Sequence, residues 1–481
     1  MSLRHLAANI SIRLASAGSF ELTEALFLRL LGVVYLAAFG SFWPQIVGLI
    51  GTRGIVPAGQ FLAEARAGLG AKAFLEIPTL LWLRLTDSTL MACCIIGCVA
   101  AIFLIGGYFT RIAAAVCWVL YLSVVVVGQP FTNFQWDALL LESGFLALFA
   151  GTRILVWAYR FLLFRLMFES GMVKLLSHDA NWRNLHALRY HFMTQPLPNP
   201  IAYYAYRLPA WMLDSMTAAT LMIELVAPFL LFGPRRVRHI GAAFLMFLQV
   251  LIIVTGNYAF FNMLTLALCL WAFDDSTFIP LTRFLRRGVL RVPRASLQSI
   301  LSAVVIALML LGAVELFDMV LPVFGRQFSR LTGLVSPFEI VNTYGLFAVM
   351  TTTRAEVIIE GSDDQVTWKE YSFPYKPGEL HRGLPFVAPY QPRLDWQMWF
   401  AGLGNYQENT WVGGLMYRLL TGNSPALNLI DTSPFSNPPR YVRALLYEYR
   451  FTTPAERRDT GAVWQRTLLG PWFGPVSLRA Q

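Results

Sequence analysis

Residues 234–273 read PRRVRHIGAAFLMFLQVLIIVTGNYAFFNMLTLALCLWAF. An Arg-rich flank, Pro234-Arg235-Arg236-Val237-Arg238, opens onto a nearly uncharged apolar run. The polar knot Thr255-Gly256-Asn257 splits that run, and a second apolar run follows. One bilayer crossing takes about 20 apolar residues of helix, so the stretch is too long for a single span. It predicts a tight helical hairpin in a membrane, with the arginines held on one side.

Composition supports a membrane setting for the whole chain. Of 481 residues, 56% are apolar and only 14% are charged, with mean hydropathy +0.53. A soluble domain carries about 25% charge, more than this chain has to coat a body of its size. Disorder, collagen and a disulfide-stapled scaffold are excluded on the same grounds. The net charge of +10 comes with no nucleic-acid motif, and in a membrane protein it reports topology and contact with anionic lipid. Lysine occurs only at Lys72, Lys174, Lys369 and Lys376. The cysteines, Cys93, Cys94, Cys98, Cys117 and Cys269, all sit in apolar runs and read as buried small hydrophobes.

Working outward from the hairpin, about nine apolar segments are long enough to read as spans. They run approximately 25–50 (interrupted by Pro44), 88–109, 111–129, 138–157, 158–176, 212–233, 237–255, 257–273 and 297–322. Alternate links carry the arginines: Arg4 and Arg13, then Arg111, then Arg153 and Arg160, then Arg235, Arg236 and Arg238. The last is the run Arg283, Arg286, Arg287, Arg291 and Arg294. The opposite short links, 130–137 and 255–258, have no Lys or Arg, while the longer segments 51–87 and 177–211 are mixed. This places the N-terminus in the cytoplasm and the C-terminus outside. Residues 1–24 read as an amphipathic lead-in without a signal-peptide core, and the final Ser-Leu-Arg-Ala-Gln is no ER-retention signal.

Hydropathy falls after residue 322. The Val/Ile run before Gly361, a Ser-Asp-Asp turn and alternating aromatics predict an antiparallel hairpin across 354–376. Residues 395–421 read as helical, 431–439 as a rigid Pro-rich loop and 440–452 as a strand. The fold class is therefore a polytopic α-helical membrane protein of about nine spans. Residues 25–322 form the helical region, and 323–481 a β-rich, sandwich-like extracytoplasmic domain.

Ionisable groups inside spans are costly and ask for a reason. Arg165 and Glu169 are four apart on one helix face and can pair. Lys174, near the outer end of the same span, either snorkels to the interface or acts as a base. Glu224 lies mid-span, and Pro228 removes the N–H that would bond to its carbonyl, so a kink is expected there. Glu224 is a functional candidate or the partner of an Arg. Glu315 and Asp318 share a face and could bind a cation or cap an Arg, with structural pairing favoured. Asp137 suits the first turn of a helix, with Glu142 one turn deeper. His178, His186 and His191 do not match HExxH or a zinc spacing, so no metal site is expected. Gln195 precedes a stiff Pro-rich exit through Asn199. No nucleophile elbow, phosphate loop or dinucleotide fingerprint is present.

Several of these segments together resemble the lipase maturation factor family. They are Phe134-Gln-Trp-Asp-Ala-Leu-Leu-Leu-Glu-Ser-Gly-Phe145, Arg165-Leu-Met-Phe-Glu-Ser-Gly-Met-Val-Lys-Leu175 and Tyr190-His-Phe-Met-Thr-Gln-Pro-Leu-Pro-Asn-Pro200. Further matches are Gly256-Asn-Tyr-Ala-Phe-Phe-Asn262, Ile359-Glu-Gly-Ser362, Pro392-Arg-Leu-Asp-Trp-Gln-Met-Trp-Phe400 and Asn437-Pro-Pro-Arg-Tyr-Val-Arg443. The resemblance implies a multi-span protein with its C-terminal domain on the lumenal or extracytoplasmic side. In animals that family resides in the ER and helps secreted dimeric lipases reach an active fold. Arg-over-Lys usage and the missing ER signal fit instead a GC-rich bacterial genome and the bacterial cell membrane, or the ER membrane in a eukaryote. A second, local resemblance joins Gly171-Met-Val-Lys174-Leu175, with Asp179 and Trp182, to vitamin K-dependent carboxylases and their bacterial relatives. In that family the lysine is the proposed base, a role that falls by position on Lys174.

The leading expectation is a membrane factor, without cofactor, that assists exported client proteins, lipases among them. Its partners are the client and membrane lipid, not nucleic acid. The aromatics Trp396, Trp399 and Trp411 are candidates on the outer domain for client contact, with packing in the domain core or against the membrane as the alternative, and Asp395 is a further functional candidate. The alternative is a membrane enzyme with Lys174 as catalytic base. A deep pocket joining Lys174, Glu224 and His191 favours the enzyme, and a solid core with a large exposed groove in the tail favours the folding factor.

Overall fold

The computed structural model describes residues 18–285, 290, 294–321, 331–431 and 433–478. Most of the lead-in 1–24 lies outside the described residues. So do Arg4, Arg13, Arg286, Arg287, Arg291 and the junction 322–330.

Twelve helices frame the site: α1 Glu21–Ile50, α2 Asp87–Gly106, α3 Thr110–Val125, α4 Gln135–Ala147, α5 Leu155–Leu176, α6 Leu188–Thr194, α7 Ala210–Leu230, α8 Arg235–Thr255, α9 Phe261–Cys269, α10 Ala295–Val320, α11 Arg393–Leu403 and α12 Trp411–Thr421. The expected nine spans become five helices long and apolar enough to cross a bilayer: α1, α2, α7, α8 and α10. A sixth is counted if Phe261–Ala272 and Asp275–Leu281, bent by 112°, are one span. The other expected segments fall outside that count for local reasons. Residues 138–157 are not one helix, because the chain turns between Ala147 and Leu155, with Gly151 at φ 87°. α3 is only 16 residues long. α5 is long enough, but Arg160, Arg165, Glu169 and Lys174 place it inside the protein, where all four are buried.

α1 shows how distant chain segments complete these helices. It runs through Pro44 without a break, as buried helices in membranes tolerate. Its N-terminus lacks a local side-chain cap. Asp275 supplies one: Oδ2 accepts from the Glu21 N–H (2.8 Å) and the Ser19 hydroxyl (2.8 Å), and Oδ1 from the Leu22 and Thr23 N–H groups (2.9 and 3.0 Å). A carboxylate there satisfies orphan donors and meets the positive end of the helix dipole. The bend at 273–275 that ends the α9 segment is what delivers it.

The tail holds β1 Arg354–Ser362, β2 Lys369–Glu370, β3 Tyr441–Phe451 and β4 Trp464–Val476 in one antiparallel sheet, order β2-β1-β3-β4. The hairpin register pairs Glu360 with Glu370 and Gly361 with Lys369. No second sheet faces it among the described residues, so the expected sandwich is replaced by a single sheet with α11 packed on β1. β1 is buried almost throughout, between β2 and β3 and under α11, with Arg354 bonded to the 193–196 segment. One continuous apolar core runs from Phe27 and Tyr35 on α1, through Leu139 and Leu162, to Trp396, Leu415 and Val442 in the tail.

Replacing Asp275 by Ala leaves four donors at the start of α1 without their acceptor. We expect a loss of about 1–3 kcal/mol, with Asp275→Asn milder, measured as detergent-solubilised thermal unfolding.

Candidate functional site

Two polar assemblies occupy the region where the tail meets the helices. The first is a seam of buried ion pairs. Asp137, in the first turn of α4, is fully buried. Its oxygens accept from the Nη2 and Nη1 of Arg393 at 2.9 Å each, and Tyr121 also donates to it. Arg393 starts α11, and its Nη1 also reaches the Phe131 carbonyl (2.7 Å). The guanidinium lies 4.4 Å over the Phe42 ring. The planar fork of Arg suits this bidentate contact.

One turn deeper, Glu142 pairs with Arg165 at 2.7 Å. Arg165 also meets Glu169, at 3.4 Å, and donates to the Asn342 carbonyl. The expected i, i+4 pair is therefore the longer half of a three-member cluster. Tail residues close it: the Tyr344 hydroxyl and the Asn342 N–H donate to Glu142 (2.8 and 3.0 Å), and the Tyr344 N–H donates to Glu169 (2.7 Å). Gly312 on α10 makes room, since a Cβ there would sit 2.5 Å from Arg165 Nη1. A third cluster, Arg354–Glu356–Lys376, lies within the tail (2.7 and 2.9 Å). From it Arg354 reaches back to the Met193 and Pro196 carbonyls (2.9 and 2.8 Å).

Asp395 accepts from the Tyr375 and Lys376 N–H groups, both at 2.8 Å, and so shapes the turn after β2. Burial pushes its carboxyl up to about 6, against the pull of those N–H groups. Of the two readings of the tail aromatics, burial matches packing rather than an exposed face. Trp396 and Trp399 are 3% and 7% exposed, and Trp411 is 8%. Trp396 packs edge-on to Trp136, the Trp399 indole donates to the Thr194 carbonyl, and Trp411 meets Phe131. They bury apolar area in the seam, because α11 and α12 sit on the membrane helices and not at the outer surface.

The second assembly is a cavity of about 260 Å³ bounded by α5, α6, α7, α8 and α9. Lys174, Glu224 and His191 all line it. Lys174 Nζ donates to both Glu224 oxygens (2.9 and 2.8 Å) and to the Ser170 carbonyl (2.9 Å). Trp182 lies 5.2 Å below it, ring-on. Three acceptors thus match the three donors of an ammonium. Gly171 lets α5 and α7 close to this distance, since a Cβ there would meet Leu225 at 2.8 Å and the Glu224 Cβ at 3.1 Å. Glu224 has Lys174 as partner rather than an Arg, and Lys174 points inward rather than to the interface.

At the other end of the cavity, the Tyr258 hydroxyl lies 3.1 Å from both His191 Nε2 and Gln195 Oε1. Gln195 Nε2 donates to the Thr255 carbonyl (2.9 Å). Asn199 caps the helix at Pro200 and donates to the Val254 carbonyl (2.8 Å). Asn257, in the knot between α8 and α9, ties the Leu197 carbonyl to the tail at Pro385 and Val387. Among the described residues, no group of three or more His, Cys, Asp or Glu is placed to hold a metal ion. Nor do Glu315 and Asp318, read as a structural pair, have an ion-pair partner there. Residue reasoning missed Arg393, Arg354, Glu356, Tyr258, Asn342 and Tyr344 as partners. Arg354 and Glu356 carry the one available signal, two charges alternating into the buried face of a strand.

A run of apolar helices with buried charge pairs and a tail seated on them defines an integral membrane protein. A family model for the lipase maturation factor transmembrane domain matches residues 22–280, and one for the lipase maturation factor C-terminal domain matches residues 340–474. Lipase maturation factor 1 of Bos taurus is 35% identical over 96% of this chain and 90% of its own length. Lipase maturation factor 2 of Homo sapiens is 34% identical over 96% of this chain and 83% of its own. No solved structure matches the chain. The chain belongs to the lipase maturation factor family.

Asp137→Ala leaves Arg393 buried without a counter-charge and should cost about 3–5 kcal/mol. The double variant Asp137→Leu/Arg393→Met should recover most of that loss. Thermal unfolding of the two proteins in the same detergent checks the order.

Proposed function

We propose that the chain is a membrane maturation factor that assists exported proteins, with lipase-like clients among them, and that its tail lies on the extracytoplasmic face of a bacterial cell membrane. The observation that carries this reading is the seam. Three buried clusters hold the tail at one fixed position over the helices, as a platform for a client needs. Trp396 and Trp399 brace that platform from within. Client contact then falls to a groove of about 430 Å³ where the Ile55–Glu64 segment faces the start of α12, with Trp411 in its lining. Apolar and polar groups alternate along it, with Phe61 and Pro130 beside Gln60 and Glu64, as suits a partner bound reversibly. The Arg-rich alternate links support the placement of the tail outside.

A second reading has its own observation: the cavity unites Lys174, Glu224 and His191, as a membrane enzyme with Lys174 as base requires. The three acceptors around Nζ favour a structural ammonium over a base that gives up its proton.

The test is quantitative proteomics of exported proteins in a deletion strain. We expect reduced levels of a defined set of exported proteins, lipases included, restored by the intact gene. An unchanged exported proteome would overturn the maturation reading. In the same strain, Lys174→Arg at matched protein level should retain most rescue, because Arg keeps the charge. A folded but inactive Arg variant would favour the base, since Arg cannot lose its proton at neutral pH. A reporter fused at Gln481 should be active only outside the cytoplasm.

A further inference from the structure

The cavity opens sideways. Ala219 on α7 and Phe247 on α8 both line it, and both are exposed on the outer surface of the helices. Around them that surface is apolar: Met222, Val226, Phe244 and Val250 are all exposed. On a membrane helix such a face meets lipid, so the cavity communicates with the bilayer. It lies toward the tail-side end of α8, where Thr255, Tyr258 and Phe347 complete its wall.

Its polar groups have a common character. Tyr258 donates its single proton to Gln195 Oε1, whose own Nε2 is committed to carbonyls. His191 Nε2 is then the donor in the His191–Tyr258 contact, which leaves Nδ1 a bare acceptor. The Thr220 and Thr255 hydroxyls donate to the Met216 and Leu251 carbonyls, so only their lone pairs are free. Glu224 accepts one bond per oxygen and has lone pairs to spare. The Lys174 donors are all used. Gln249 and Asn262 also line the cavity, bonded to each other and to Met167, and each keeps one N–H. The lining therefore offers acceptors in excess of donors and no free charge, because Lys174 and Glu224 cancel.

We infer that this cavity binds a neutral long-chain lipid whose head group carries hydroxyls, taken from the bilayer through the gap beside Ala219 and Phe247. The hydrocarbon chain lies between α7 and α8. The hydroxyls donate to the acceptors at the Tyr258–His191 end and at Glu224. A fatty-acid carboxylate is refused, since it would be buried without a free cation and would face Glu224. A phosphate head group is refused for the same want of a free cation. The inference does not rest on the maturation reading, and its failure leaves that reading intact.

The test uses the full-length protein in phosphatidylcholine nanodiscs. The probe is a monoacylglycerol with a diazirine in its acyl chain, and the control is the fatty acid with the same chain. After irradiation, labelled peptides are identified by mass spectrometry. We expect the monoacylglycerol to label 216–224 and 247–255, to be competed by unlabelled monoacylglycerol, and to outrun the fatty acid. Ala219→Trp, which plugs the exposed mouth, should cut labelling about tenfold. Tyr258→Phe, which removes a hydrogen-bonding oxygen, should weaken competition about three- to tenfold. Unfolding temperatures matched to the parent show that both variants fold, and competition in the parent protein tests the site without any variant. Labelling spread evenly over the outer faces of α7, α8 and α10, without competition, would overturn the site. Equal labelling by the fatty acid would overturn the assignment of a neutral hydroxylated head.

Discussion

The contact between Arg393 and Asp137 governs how the two parts of this molecule relate. Neither side chain has exposed surface, and each would be costly to bury alone. The pair is viable only with the tail seated, because Arg393 belongs to the tail and Asp137 to the helices. Around it the Tyr121 hydroxyl and the Phe131 carbonyl add further bonds, while the Arg393 Nε has no partner among the described residues. The Glu142–Arg165–Glu169 cluster works in the same way, with Tyr344 and Asn342 as the closing members. Alignment of the tail is thus set by charge geometry, while the surrounding aromatics supply buried area that is less directional.

The seam and the cavity use similar residues to opposite effect. In the seam, the charged groups are paired with one another, which fixes one arrangement. In the cavity, one ion pair is closed on itself and the rest of the polar lining keeps unused lone pairs. Glycine makes both possible. Gly312 lets a guanidinium lie against α10, and Gly171 lets α5 approach α7 until Lys174 reaches Glu224.

Part of this was legible in the residues. Apolar length located α1, α2, α7, α8 and α10, because a long uncharged helix has few other readings. The knot at Thr255-Gly256-Asn257 was legible as a break, and the structure turns there. The segments with charges were harder. α5 has the length of a span, yet its four charges make it an interior helix, and only the tertiary partners show which carboxylate each cation meets. Arg165 was matched to Glu169 by spacing, while its shorter contact, Glu142, lies 23 residues away. Lys174 and Glu224, 50 residues apart, were flagged singly, and nothing local joins them. The tail tryptophans could be read as exposed or as packed, because a short helix with several aromatics has the same pattern whether it faces solvent or a second layer. The sandwich was expected from strand patterns alone. They cannot tell a partner sheet from a bed of membrane helices.

The distance between Asp137 and Arg393 along the chain, 256 residues, has a consequence for biogenesis. During synthesis the carboxylates of α4 and α5 enter the membrane long before the residues that complete them are made. A nascent chain halted before residue 393 holds Asp137 without its guanidinium, and one halted before residue 342 also lacks the closing bonds on Glu142 and Glu169. Such a chain carries open polar groups in its helical part and presents them to any protease that surveys the membrane. Completion of the tail removes that signal. The same salt bridges that align the finished protein therefore distinguish whole molecules from truncated ones.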